Sequence, residues 1–286
     1  MKTHLREDWL ERILGGPILW AGLGLVTLFA LGPFVWIFLA SIKTRTELYA
    51  IPIQYLPTHP TFEHYVEAWT SPLTPFSRFC ANSLWVSSVT TVATIMISTL
   101  AGYALARFRF MGKRNLMLIF LATQMFPAVL LIAPLLSQWH ALGLIDTYQA
   151  LIYSNFSFTV PFTVWMLVGY FESIPRELEE SAMIDGSGRF GALIRIIVPL
   201  AAPGIAATAI FAFVSSWHEL IFATTFTTAT QMRTLSSGLL YMVGQFEVEW
   251  GKLGAAVMIS TIPLAILFVF VQKHLIRGLT AGAIKG

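Results

Sequence analysis

Six stretches of this 286-residue chain are apolar for long enough to cross a membrane, and that constrains the fold more than any other property. They run over about residues 17–41, 83–105, 116–139, 148–170, 200–222 and 253–275. In hydrocarbon an unpaired backbone N–H or C=O costs several kcal/mol, so a spanning segment is either a helix or a strand of a closed barrel. Barrel strands are short and alternate apolar with polar residues, and these runs do neither. They predict an all-α integral membrane protein with six transmembrane helices. Composition agrees: the chain is 56% apolar and 12% charged, with a mean hydropathy of +0.70, whereas soluble domains carry about 25% charged residues. The first run follows a charged segment, as in a signal peptide. At ~25 residues it exceeds the 7 to 15 of a signal core and is an uncleaved first span.

An even number of spans puts both termini on one side. Of the 18 Lys and Arg residues, only Lys43, Arg45, Arg78, Arg233 and Lys252 fall on the side opposite the termini, leaving 13 with them. Residues 107–114 supply Arg107, Arg109, Lys113 and Arg114 with no acidic residue. Short cytoplasmic loops are enriched in such positives, so both termini and the loop between the fourth and fifth spans are expected in the cytoplasm. The outer segment, 43–78, is divided by Pro52, Pro57, Pro60, Pro72 and Pro75, with a short helix expected over about 61–69. Pro127, Pro134, Pro161, Pro203 and Pro263 lie inside apolar runs, where each tends to kink a helix. Cys80, the single cysteine, excludes an intramolecular disulfide, and no basic run points to nucleic acid.

The loop from Ser173 to Pro199 carries chemistry of its own. Ser173 is a candidate cap, Pro175 suits a first turn, and Glu177, Glu179 and Glu180 complement the positive end of a helix dipole. Gly186 can take positive φ and end that helix, after which Phe190, Leu193, Ile194 and Ile197 recur at helical spacing into the fifth span. A helix, sharp turn and helix are predicted. A helix lying in headgroups would be basic on its polar face. This one carries Glu177, Glu179, Glu180 and Asp185 against Arg176 and Arg189, which favours docking on a basic protein surface over lying on anionic lipid.

The run Glu180-Ser181-Ala182-Met183-Ile184-Asp185-Gly186, followed by Pro199-Leu200, resembles the cytoplasmic EAA loop of ABC importer permeases. Asn82-Ser83-Leu84, Ala104-Leu105-Ala106-Arg107-Phe108 and the ending from Gly278 to Gly286 extend the likeness over almost the whole chain. They are similar to the carbohydrate-uptake, maltose- and trehalose-type branch, and in it to the smaller permease subunits. The resemblance implies the type I (MetI-like) importer permease architecture in a bacterial inner membrane. A cytoplasmic N-terminus of residues 1–16 would precede a six-helix permease domain of 17–277 that includes a coupling loop at 172–199, with a cytoplasmic tail at 278–286. The partners implied are a second homologous permease, two ATPase subunits and an extracytoplasmic sugar-binding protein, besides membrane lipid. No cofactor would be bound by this chain, since ATP and Mg belong to the ATPase subunits. By the same likeness Glu180, Ser181, Ala182, Asp185, Gly186 and Pro199 are the ATPase-coupling residues, and Thr280, Gly282 and Lys285 are tail contacts with the ATPase. Two positions depart from the family pattern: Ser181 stands where Ala is usual, and Trp217-His218-Glu219-Leu220 where many relatives have Trp-Asn-Glu-Phe.

Trp217, His218 and Glu219 form either a wetted interface beside an anchoring Trp or an outer gate or contact with the docked binding protein. On a straight helix from Leu200, Glu219 would lie about 28 Å along the axis. Gln124, Asn155 and Ser260 either hydrogen-bond a solute in the pathway or bridge helices. Gly112-Lys113 and Gly251-Lys252 are not followed by Ser or Thr, so there is no phosphate loop. His59, His64, His140, His218 and His274 lack metal-ligand spacing with one another. The alternative function is an ion-gradient-driven transporter of a small polar solute, which would need ionisable residues at mid-membrane, and none falls there. A membrane-embedded enzyme would need a cluster of His, Asp and Glu at one depth, which is also missing.

Overall fold

The computed structural model describes residues 16–243 and 248–283, and these are helical with no strand among them. The helices are α1 (Pro17–Ser41), α2 (Arg45–Leu48), α3 (Glu63–Thr70), α4 (Phe76–Arg107), α5 (Lys113–Gln124), α6 (Ile132–Ala141), α7 (Tyr148–Ser173), α8 (Arg176–Ile184), α9 (Arg189–Ala192), α10 (Ala202–Trp217), α11 (Ile221–Phe226), α12 (Leu235–Met242) and α13 (Trp250–Ala283). Four of them, α1, α4, α7 and α13, are long and apolar enough to span a membrane alone. Two bent pairs bring the number to as many as six.

Those pairs are the expected third span and the approach to the expected fifth, each bent more sharply than the kinks that the prolines predicted. Residues Lys113–Gln124 and Ala128–Ala141 meet at 92°, and Arg189–Leu200 meets Ala202–Trp217 at 79°. The first break sits at Pro127, whose extended ψ of 123° stops α5 and starts a single 3-10 turn, Ala128–Leu131. The second falls at Ala201. A π-helical turn over Leu193–Ile197 precedes it and a one-turn helix, Val198–Leu200, leads into it. Pro203 lies in the first turn of α10 and Pro134 in that of α6, where a missing N–H leaves no bond unmade. Pro161 and Pro263 are interior to α7 and α13, as is Pro33 to α1.

The described residues group into two compact units, 16–69 with 248–259, and 70–243 with 260–283. In the first, α1 is apolar all round and exposed along its length, as a lipid-facing span is. The short expected helix appears as α3, and Arg45 pairs with Glu67 at 3.2 Å and with Glu249 at 3.1 Å. Glu47 closes a capping box with Thr44 and also accepts from the backbone N–H groups of Thr58 and His59, both at 2.9 Å.

In the second unit α4 packs along α7 and α10 through a stripe of small side chains, Ser83, Ser87, Thr90, Thr94, Ser98 and Gly102, all buried. Small residues let helix backbones approach closely in a membrane. Thr94 and Thr159 share a hydroxyl–hydroxyl bond of 2.9 Å across the α4–α7 seam. One core cluster joins Val86, Trp139, Leu151, Phe222 and Phe226; another joins Tyr103, Leu167, Phe171, Leu193 and Ile197. The second cluster seats the loop that follows α7.

Candidate functional site

The loop forms an elbow. Helix α7 ends at Ser173, whose hydroxyl donates back to the Tyr170 carbonyl, so Ser173 closes one helix and does not cap the next. Ile174 and Pro175 are extended, with ψ of 125° and 137°, and α8 starts at Arg176. Gly186 has φ +87°, the left-handed conformation expected of it. The Gly186 N–H donates to Met183 and the Ser187 N–H to Ala182, sealing the last carbonyls of α8 in a Schellman motif. Glu180, Ser181, Asp185, Gly186 and Pro199 are exposed, whereas Ala182 is buried against the bundle side. Ser181 spends its hydroxyl on the Glu177 carbonyl at 2.8 Å. Leu178, Ile184 and Phe190 are exposed apolar side chains beside this acidic rim, Ile184 at 86%.

Glu179 is the residue that the sequence pattern placed wrongly among the solvent-facing acids. Its side chain is 6% exposed and pairs with Arg107 at the end of α4, Nε to Oε2 2.9 Å. Tyr103 Oη donates to the other carboxylate oxygen, and Arg107 Nη2 donates to the Ile174 carbonyl at 3.0 Å. A signal was present, because Tyr103 and Arg107 are four residues apart and so share a helix face.

Four of the six pathway and gate candidates come together elsewhere in the same unit, and Ser260 is not among them. A cavity of about 410 Å³ is lined by Gln124, Asn155, His218 and Glu219, with Thr159 and Ser215 and the rings of Phe158, Phe211 and Phe222. Gln124 is the last residue of α5 and donates from Nε2 to the Phe158 carbonyl at 3.1 Å. Asn155 donates to the Leu151 carbonyl at 2.9 Å. Another candidate, Trp217, turns into the core. It is 2% exposed, stacks on Phe213 and accepts from Ser236 at its carbonyl. Helix α10 ends there, so Glu219 does not ride a straight helix from Leu200. Instead its carboxylate caps α11, accepting from Phe222 N at 2.6 Å and Ala223 N at 3.0 Å. Thr159 and Ser215 were missed by sequence reasoning; Thr159 follows Asn155 by four and shares its face.

Asn82, which the sequence marked only as part of an opening triplet, bonds three partners. Its Nδ2 donates to the carbonyls of Gln231 and Arg233, both at 2.8 Å, and its Oδ1 accepts from Tyr148 at 2.8 Å. Ser83 accepts from Leu235 N at 2.7 Å. Of the tail candidates, Thr280 and Gly282 fall on backbone that continues as α13 to Ala283. Lys285 lies outside the described residues.

Residues 94–281 match the family described as "Binding-protein-dependent transport system inner membrane component". The chain belongs to this family. As a member it is a membrane-embedded permease subunit of an ABC importer and not an enzyme. It is 39% identical over 287 residues to a sulfoquinovosyl glycerol transport system permease protein of Agrobacterium fabrum, covering 100% of both chains. A trehalose/maltose transport system permease protein of Thermococcus litoralis is 37% identical over 283 residues, covering 99% of this chain and 100% of that one. Among solved structures, a bacterial ABC transporter involved in the import of the acidic polysaccharide alginate superposes with a TM-score of 0.77 at 25% identity, over 92% of this chain and 96% of the other. The ion-gradient-driven alternative gains no support from any of these relatives.

Proposed function

We propose that this permease forms half of the translocation pathway of an ATP-driven importer whose cargo is a di- or oligosaccharide or a related glycoside, of the size of maltose or trehalose. The other half is a homologous permease. Two ATPase subunits that hold ATP and Mg dock on the elbow, and an extracytoplasmic sugar-binding protein delivers the cargo. Both termini lie in the cytoplasm.

The observation that carries this reading is the elbow's construction. A short helix presents an acidic rim of Glu180 and Asp185 with exposed Ile184 and Leu178, while its inner face is held by a buried ion pair. A floppy linker would absorb a partner's movement; a braced helix passes it on as a rigid body. Saccharide cargo is supported by the substrates named for the relatives. The cavity at Gln124, Asn155, His218 and Glu219 supports a pathway role, since it combines amide and carboxylate groups with aromatic walls. Pro199 contributes to the coupling face, and Thr280, Gly282 and Lys285 extend the ATPase contact.

Glu180→Lys places a cation on the docking rim, and Gly186→Pro removes the φ of +87° that ends α8. In the reconstituted complex each variant is expected to abolish cargo-stimulated ATP hydrolysis, read as phosphate release across a panel of disaccharides. Unchanged stimulation in both would refute the docking assignment.

A further inference from the structure

Helix α8 is joined to α7 through two extended residues, Ile174 and Pro175, which by themselves make a hinge. One side chain from a different helix blocks that hinge. Arg107, the last residue of α4, donates to the Ile174 carbonyl within the hinge and also pairs with Glu179 in the middle of α8. Tyr103, one turn earlier on α4, holds the second Glu179 oxygen, and Arg176 reaches back to the Ala106 carbonyl at 3.2 Å. Arg107 and Glu179 are 4% and 6% exposed. Below them the Tyr103 ring packs edge-on against Phe171 at 6.4 Å, and Gly102 lets α4 close on Leu167 of α7.

A buried ion pair is a weak source of stability, because desolvation offsets much of its attraction and a well-packed apolar pair often does as well. Here the charges do something an apolar pair cannot. The Arg107 hydrogen bond to the hinge carbonyl, with the ion pair to Glu179 and the Tyr103 hydroxyl bonded to the same carboxylate, fixes the angle of α8 against α4 at the hinge and at mid-helix together. Helix α4 is also the one that packs along both α7 and α10.

We propose that Glu179, Arg107 and Tyr103 form a coupling joint, positioning residues through which movement of α8 drives α4 directly and not only the two helices to which the loop is covalently joined. This rests on the reading of the elbow as the ATPase dock. It predicts that loosening the joint leaves docking and hydrolysis in place while less cargo moves for each ATP.

The test compares cargo moved with ATP hydrolysed in the reconstituted complex. Arg107→Met with Glu179→Leu is expected to assemble and hydrolyse ATP, with the cargo-to-ATP ratio lowered roughly 2- to 30-fold. A purely structural loss would lower both rates together and leave the ratio of the surviving complexes intact. Should the double variant not assemble, Tyr103→Phe removes a single hydroxyl and supplies the same ratio, with a smaller fall expected. A wild-type ratio in whichever variant assembles overturns the joint. Glu180→Lys, on the exposed rim, and Gly186→Pro test the dock separately: if both leave cargo-stimulated ATP hydrolysis unchanged, the elbow reading fails regardless of the ratio.

Discussion

Two buried glutamates, Glu47 and Glu179, show how local geometry decides what a carboxylate does. Glu179 meets an arginine and is held in one direction by charge. Glu47 meets backbone. Its burial alone would raise its pKa, but hydrogen bonds from His59, Thr44 and Thr58 outweigh this and hold it at about 2, below the usual 4.5. A depressed carboxylate contributes stability that is complete above its unfolded pKa and is lost as pH falls through the folded one. The turn around Gln54 to His59 should therefore loosen between about pH 4.5 and about pH 2. Limited proteolysis of the 43–60 segment across that range is the measurement. Protection should fall with pH in the natural protein, and Glu47→Gln, which keeps the shape and removes the charge, should flatten the dependence. A protection curve insensitive to pH in the unaltered protein would remove the capping role from Glu47.

Among the elements, the long helices were legible because apolar length and backbone satisfaction leave no other solution in lipid; the first expected run and α1 coincide from Pro17 to Ser41. The breaks at Pro127 and Ala201 were not, since hydropathy stays high through both and only backbone geometry separates a kink from a turn of 92° or 79°. Pro203 misled in a specific way, because a proline at a helix start and one inside it look alike in sequence. The elbow was legible in its Gly and its acidic composition, while the inward turn of Glu179 needed the third dimension, as did the inward turn of Trp217. Close helix contacts were equally invisible, and Gly204 is a clear case. A Cβ built there would lie 2.3 Å from Cγ of Tyr170, so α10 rests directly on that ring of α7. Gly204→Val should force the two helices apart and cost about 1–3 kcal/mol of overpacking. Thermal unfolding in detergent should show the lowered transition, and Tyr170→Ala in the same chain should recover part of it. A transition unchanged by Gly204→Val would mean the ring moves aside freely.

For the whole molecule, the outstanding choice is which end of the spans faces the ATPase. Loop chemistry favours one answer. Arg107, Arg109, Lys113, Arg114, Arg176, Arg189 and Arg195 gather at the end of α4, the start of α5 and the elbow after α7. The opposite end of α7 is closed differently. There Asp146, at φ +58°, accepts from Thr228 N at 2.6 Å and Ala229 N at 2.9 Å, and its own N–H donates to Phe226 at 2.9 Å, so the α6–α7 turn is clamped without lysine or arginine in it. The excess of positives on one side supports the proposal that the elbow is cytoplasmic and the Asp146 clamp outside. Helix α7 has 26 residues, about 39 Å at 1.5 Å per residue, enough to separate its two ends by the full hydrocarbon thickness. With Cys80→Ser as background, a membrane-impermeant maleimide added to intact cells should label Leu142→Cys and leave Ser187→Cys unlabelled until the membrane is opened. The reverse pattern would turn the molecule over, putting the acidic rim of α8 where no ATP-fed partner could reach it and removing the coupling role from both the rim and the joint beneath it.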